Sequence, residues 1–594
     1  LQQGGMPRLT IDGFAVPGPS NGYQPQGYSD PQKNINANLN WVKGSHNIRA
    51  GFDSDFQDSN QMQYEYIANY LSSAGGFHFA QGTTQLQGGP AGNDMNAFGS
   101  FLLGLPQESG KIYQFPDEYY TRNRIYSLYL RDRWQVGPKL TLSYGVRFDY
   151  FPFPTRRGGT GFEFYNPASA TMSICGVGSI PEDCGITRDK RHFNPRLGLA
   201  YRITNSTVIR AGYSMAADPN LFHGKSLGNR ENFPYLFPQY IVPPNSLSYG
   251  VTFRQGLPAV SAPDTSSGTV PVPGNVAVTS VDNGNYVRGY IQTWNFTLEQ
   301  RFKGWLASAG YVASRAIKPQ DNLQLNWSPI NGGTAGQILN KLTGRTASTV
   351  YLGTLGTNTY DSLQVRAQRR FAGFQIGTTY TWGKALGYSQ QSARVMIPQY
   401  YRLNRGPLDQ DFRHLFAASG VAELPFGKGK RWAQQGVPSM LAGGWQLSTV
   451  LSARVGQPFT AGASTATLNA TFSGQFADCV SQPELLRNTF QWYAKSAFAV
   501  PAPGRFGTCG TNRFRGPGLI NADLGVERKF RVTERFQLTF RGEMFNISNT
   551  PHHVMPGGNA SVNSGTFLQA TDIANTGREG IEQRAVRFAL KLAW

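Results

Sequence analysis

The stretch KLTLSYGVRFDYF, residues 139–151, alternates strictly: Leu140, Leu142, Tyr144, Val146, Phe148 and Tyr150 fall on one side, and Lys139, Thr141, Ser143, Gly145, Arg147 and Asp149 on the other. Successive side chains of an extended chain point to opposite faces, so this is a strand with one greasy face and one wet one. The pattern recurs along the chain. Ile35, Ala37, Leu39 and Trp41 interleave with Asn34, Asn36, Asn38 and Asn40, and Trp294, Phe296 and Leu298 with Thr293, Asn295, Thr297 and Glu299. Leu363, Val365 and Ala367 oppose Gln364, Arg366 and Gln368, as Phe536, Leu538 and Phe540 oppose Gln537, Thr539 and Arg541.

Strand length narrows the choice. A strand tilted by about 40° climbs roughly 2.5 Å per residue and needs about ten residues to cross an apolar band about 25 Å tall. Residues 122–136 and 139–151 reach that length, whereas sandwich strands run nearer about five or six. The connections narrow it further. Gly137-Pro138, Thr204-Asn205-Ser206, Lys303-Gly304, Ala372-Gly373 and Arg531 to Glu534 are tight turns, and each alternates with a long loop. Short turns at one end and long loops at the other are the asymmetry of an outer-membrane barrel. The stretch from Pro425 to Gly443 is the exception, being longer than a tight turn.

Composition points the same way. The 594 residues include 15% charged and 13% aromatic side chains, with 69 Gly and 28 Tyr; soluble domains average about a quarter charged. No run of eighteen apolar residues exists and mean hydropathy is −0.37, which excludes transmembrane helices. A membrane protein of this kind must be a closed barrel, because lipid cannot satisfy an open sheet edge. The expected fold is therefore all-β, a large antiparallel transmembrane barrel of about 17–18 strands with long extracellular loops and short periplasmic turns. Two of those strands are placed between Asp58 and Thr121, at Tyr64–Phe79 and Ser109–Tyr119, with residues 98–104 as a helical link. The net charge of +20 suits lipopolysaccharide phosphates outside or an anionic solute inside. With no zinc-finger spacing, RNP-like strand or Lys/Arg block, nucleic acid is not an expected partner. The chain starts at Leu1 without a charged-then-apolar leader, which reads as a fragment or a processed product.

Few residues suggest chemistry. Cys175/Cys184 and Cys479/Cys509 form two local pairs in predicted long loops, read as disulfides in an oxidising compartment, with free structural cysteines as the alternative. Asp53, Asp55 and Asp58 resemble part of a calcium loop but lack its Gly and distal Glu; a solvated strand end is the plainer reading. His552 and His553 have no carboxylate at helical spacing, and no nucleophile elbow or phosphate loop is present. No cofactor, metal or catalytic residue is expected. The wet faces carry Arg147 with Asp149, Glu299 with Arg301, and Arg541 with Glu543, read as lumen-facing charges that tie strands together. The chain ends with Phe588, Leu590, Leu592 and Trp594 on alternate positions, resembling the signal read by the outer-membrane assembly machinery.

Several stretches together resemble the Oar-like group of TonB-dependent receptors: FGSFLLGLP (98–106), YSLYLRDRWQVGPKLTLSYGVRFDY (126–150), FNPRLGLAY (193–201), ELPFGKGK (423–430), FRGPGLINADL (514–524), FRGEMFNISNTP (540–551) and the terminal FALKLAW. The resemblance implies a barrel of about twenty-two strands preceded by a signal peptide, a regulatory-like domain and a plug. Residues 1–594 would then be the barrel alone, in the outer membrane of a Gram-negative bacterium. It also implies a non-enzymatic receptor that moves a large, unspecified solute in or out, coupled to the TonB motor through the missing amino-terminal part. A passive porin-like channel and a surface adhesin are the alternatives.

Overall fold

The computed structural model describes residues 6–14, 27–62, 74–116, 120–156, 161–186, 192–218, 233–243, 245, 247–281, 287–371, 373–388, 395–531, 533–555, 560–574 and 583–593. Its main element is one antiparallel sheet of eighteen strands. Fifteen are long: β1 (Gln32–Lys43), β2 (His46–Met62), β3 (Tyr120–Gln135), β4 (Leu140–Tyr150), β5 (Phe193–Arg202), β6 (Thr207–Ala217), β7 (Tyr290–Phe302), β8 (Trp305–Ile317), β9 (Thr357–Phe371), β10 (Phe374–Gly387), β11 (His414–Glu423), β12 (Trp445–Arg454), β13 (Leu519–Arg531), β14 (Gln537–Phe545) and β15 (Ala585–Ala593). The other three, Gly27–Ser29, Thr155–Arg156 and Gly406–Pro407, border β2, β3 and β10 at the long-loop end.

Each long strand pairs with the next in sequence, so the sheet is a pure meander. Among the described residues β1 and β15 each have a neighbour on one side. Turn chemistry fixes the register at the short end. Lys303 and Gly304 both adopt positive φ, the geometry whose twist matches a two-residue hairpin, and Phe302 pairs directly with Trp305.

Register turns local alternation into a belt. Leu39 pairs with Ala50, Ala50 with Leu130, and Leu130 with Val146. Leu142 stands between Trp134 and Leu199, and Phe296 between Ala211 and Tyr311. The row continues through Leu363 to Trp382, and farther round the wall Phe540 pairs with Leu590 on the same face. These side chains do not meet in a dry interior. Leu39 is 67% exposed, Leu590 70% and Phe588 74%. A large apolar side chain left in water forgoes about 1.5–3 kcal/mol of burial, so a belt spanning the sheet is stable only against hydrocarbon. No helix among the described residues is long and apolar enough to cross a membrane; the strands do the crossing.

The extra hairpin expected between Asp58 and Thr121 is not part of this wall. Residues 63–73 lie outside the described set, and β2 pairs directly with β3. Gly76–Phe79 and Glu108–Gln114 instead join Arg8–Ile11 and Leu236–Ile241 in a separate four-stranded sheet. The physical reason is burial on both faces: Phe77, Phe79, Ile112 and Tyr113 are all buried, where a spanning strand would alternate. A helix, Asp94–Leu102, covers this sheet and begins at a capping box in which Asn93 accepts from the Asn96 amide.

The other long loops also fold. One unit packs Tyr165, Met172, Ile174, Val270, Val278 and Leu339 around the buried Arg345. That guanidinium donates to Val276 O at 2.5 Å and Thr349 Oγ1 at 2.5 Å, and lies 4.9 Å from the Tyr165 ring. Another packs Ala461, Ala477, Phe498, Phe567 and Leu568. The extracellular face is thus a set of small domains.

Candidate functional site: the polar face of the wall

Where neighbouring strands place polar residues in register, the inner face acquires chemistry that no single strand has. Arg49 on β2 pairs with Arg131 on β3, Arg131 with Gly145 on β4, and Gly145 with Arg196 on β5. A cavity of about 320 Å³ opens among Arg49, Asp53, Tyr129, Arg131, Arg147 and Arg196. Gly145 is required by the close approach of β3. A Cβ there would stand 2.5 Å from the Leu130 carbonyl oxygen and 2.9 Å from Arg131 Cα. The side chain it lacks leaves a gap between Arg131 and Arg196. Beside it, the Tyr129 ring lies over Gly51 and its hydroxyl donates to the Asn38 side chain, bridging β3 to β1.

Arg147 is neutralised locally. It donates to Asp53 at 2.5 Å and to Asp149 at 2.8 Å. Asp149 also accepts from Ser127 at 2.6 Å and Asn194 at 2.5 Å, tying β2, β3, β4 and β5 together. Arg49, Arg131 and Arg196 differ: all are exposed, and among the described residues none has an ion-pair or hydrogen-bond partner for its side chain. Like charges directly opposite across a ladder are destabilising. Three unpaired cations in one row therefore favour an anion between them.

The other charges named from sequence are distributed differently. Arg541 and Glu543 pair along β14 at 2.6 Å. Glu299 does not take Arg301; it accepts at 2.9 Å from Arg210, its diagonal neighbour across β6 and β7, which a long side chain can reach. Arg301 lies at the short-turn end, its amide bonded to Ser206 O at 2.8 Å. Asp53, Asp55 and Asp58 do not converge: Asp53 takes Arg147, Asp55 accepts from Gln32 and Gln57, and Asp58 pairs with Arg124. His552 is buried with Nε2 2.8 Å from Ile520 O, and His553 sits in a two-residue strand pairing with Ile573.

Cys175 and Cys184 are joined, with Cα atoms 4.9 Å apart, and Cys479 and Cys509 likewise at 5.0 Å. Both bridges lie in the external loop domains. Phe588, Leu590 and Leu592 project from the lipid face of β15; Trp594 lies outside the described residues. Sequence reasoning missed Arg49, Arg131, Arg196 and Arg210. Each sits at a polar position of an alternating strand, but their convergence depends on the register of separate strands.

A family model described as an outer membrane beta barrel domain matches residues 1–585. No curated protein matches the chain. Among solved structures it is similar to the outer membrane transporter YddB from Escherichia coli, at 11% identity and TM-score 0.46, covering 96% of this chain and 54% of that one. It is also similar to the ferripyoverdine receptor of the outer membrane of Pseudomonas aeruginosa, at 9% and 0.44 over 96% and 49%. The FrpB iron transporter from Neisseria meningitidis gives 8% and 0.41 over 95% and 56%. The chain spans about half the length of these proteins.

Proposed function

The chain belongs to the family of outer membrane beta barrel domains, and from that premise we propose that it forms the wall and external capture surface of a receptor moving a large anionic solute across the outer membrane. The observation that carries this reading is the row Arg49, Arg131 and Arg196, which places unpaired positive charge on the wet side of a lipid-exposed wall. No nucleoside triphosphate is available at that membrane, so directed transport requires force from elsewhere. The Oar-like resemblance supplies a TonB motor acting through a plug. The proposed role is uptake or export, not catalysis.

Lipopolysaccharide is the proposed lipid partner outside. At the long-loop end of the lipid-facing row, a hollow of about 450 Å³ gathers Tyr311, Asp361, Trp382, Lys384 and Arg413. Arg315 pairs with Asp361 at 3.1 Å, while the exposed Lys384 and Arg413 suit lipid phosphates. The alternating apolar row of β15 supports recognition by the assembly machinery.

The test is accumulation of a labelled oligoanion by cells expressing the parent gene, with and without TonB. Coupled transport requires TonB and weakens when Arg49, Arg131 and Arg196 are changed together to Ser. Accumulation independent of TonB would identify a passive channel instead. Normal cell attachment lost with the loops, and no accumulation at all, would identify an adhesin.

A further inference from the structure

The connection between β11 and β12 is the one short-end link among the described residues that carries a helix, Gly436–Ala442. Its apolar residues are turned outward. Val437, Met440 and Leu441, at positions i, i+3 and i+4, are 62%, 64% and 62% exposed. Spaced this way they form one stripe along the helix.

The stripe is fastened to the lipid side of the wall. Trp445 and Arg528 pair in register on the lipid-facing row, next to Phe540 and then Leu590. Trp445 Nε1 donates to Leu441 O at 2.9 Å. Arg528 donates to Leu441 O at 2.7 Å and also to Met440 O, with its guanidinium 5.5 Å from the Trp445 ring. The orphan carbonyls of the helix end are thus satisfied by two side chains of the membrane belt, and the stripe continues that belt. Before the helix, Gly427 donates to Trp432 O at 2.9 Å and Trp432 to Pro425 O at 3.0 Å, closing a compact turn. Lys428, Arg431 and Trp432 are exposed on it, with Arg431 5.0 Å from the Trp432 ring. Lys430 is occupied by Glu423 at 2.5 Å.

We propose that residues 426–442 form an amphipathic anchor seated in the phospholipid headgroup layer of the periplasmic leaflet. Val437, Met440 and Leu441 enter the acyl boundary, and Lys428 and Arg431 face anionic headgroups. Apolar stripe, basic flank and interfacial Trp are the parts such an anchor needs. Its lipid-side fastening and its charge both select lipid over a protein partner.

The four native cysteines are paired, so Met440→Cys gives a single thiol for an environment-sensitive fluorophore. Thr533→Cys, in the short β13–β14 turn, is the aqueous control. Folding of each variant is checked by heat-modifiable migration. In vesicles of phosphatidylethanolamine and phosphatidylglycerol, the probe at 440 should emit to the blue of the control and lose most of its emission to a lipid spin-labelled just below the headgroup. Lys428→Glu with Arg431→Glu should weaken that quenching in phosphatidylglycerol vesicles and leave it unchanged in zwitterionic ones. A probe at 440 as open to aqueous iodide as the control would overturn the anchor and leave the stripe to a periplasmic protein. Quenching indifferent to phosphatidylglycerol would overturn the headgroup contact.

Discussion

Arg156 donates to Glu163 Oε1 at 2.8 Å with both side chains essentially removed from solvent, 0% and 2% exposed. Arg156 belongs to the short strand that borders β3, and Glu163 opens a strand of the loop domain; the guanidinium also lies 4.2 Å from the Phe162 ring. The pair fastens the loop domain to the barrel wall. Breaking a buried pair strands one charge, at a cost of about 3–5 kcal/mol, whereas replacing both partners by apolar residues is often close to neutral. Glu163→Ala should therefore raise hydrogen exchange across residues 162–174 far more than Arg156→Met with Glu163→Leu, with the exchange of β3 and β4 unchanged in both.

Asp321, in the strand Gln320–Gln324 of a loop domain, is fully buried, and that burial raises its carboxyl to about 7, while a hydrogen bond from the Tyr401 hydroxyl at 2.5 Å pulls the other way. The folded loop thus prefers the protonated acid. Its contribution is complete below the unfolded value of about 3.9 and is lost as pH rises through about 7. Hydrogen exchange of residues 320–324 should be slower at acidic than at mildly alkaline pH. Asp321→Asn should remove that dependence and exceed the native protection above pH 7; a native profile flat with pH would contradict it.

Arg49 and Arg131 repel one another across β2 and β3. Repulsion of this kind is worth about 0.2–1 kcal/mol and is screened by salt. The melting temperature of the refolded protein should rise with sodium chloride, and more with tripolyphosphate at equal ionic strength. Arg131→Ser should blunt both responses.

Gly145→Ala places a methyl group against the Leu130 carbonyl oxygen and Arg131 Cα. Both contacts are backbone, so β3 and β4 must part locally. The variant should lower the melting temperature and bind the polyanion less well, with a loss of stability in the range of about 1–3 kcal/mol typical of overpacking.

Closing a loop of nine residues gains about 2–3 kcal/mol by chain entropy, and one of thirty about 3–4 kcal/mol. Reduction should expose residues 162–186 and 459–514 to protease while the barrel keeps its heat-modifiable migration. A barrel that unfolds on reduction would show the loops to be part of its core.

The wall was readable because its signal is local. Alternation in KLTLSYGVRFDYF reports both faces of β4 without reference to any other strand, and a tight turn such as Lys303-Gly304 fixes the next strand's register. The loop domains were not readable, because their strands are short, buried on both sides, and paired with distant sequence: Leu236 with Gln114, and Arg8 with Gly76 in parallel. Gly76–Phe79 therefore reads as wall from sequence and folds as loop domain. The arginine row falls between the two cases. Each arginine could be placed on the wet face, but its neighbours depend on the register of four strands at once. The same limit hides the pairing of Glu299 with Arg210, which lies on another strand.

The meander also bears on the seam. Among the described residues fifteen long strands follow one another in simple up-and-down order, so β1 and β15 run the same way. Were they to zip together, theirs would be a parallel joint in an otherwise antiparallel tube; an antiparallel joint demands an odd number of guest strands. Hydrocarbon tolerates neither rim bare, so the direction of these two strands limits the ways in which the wall can be sealed.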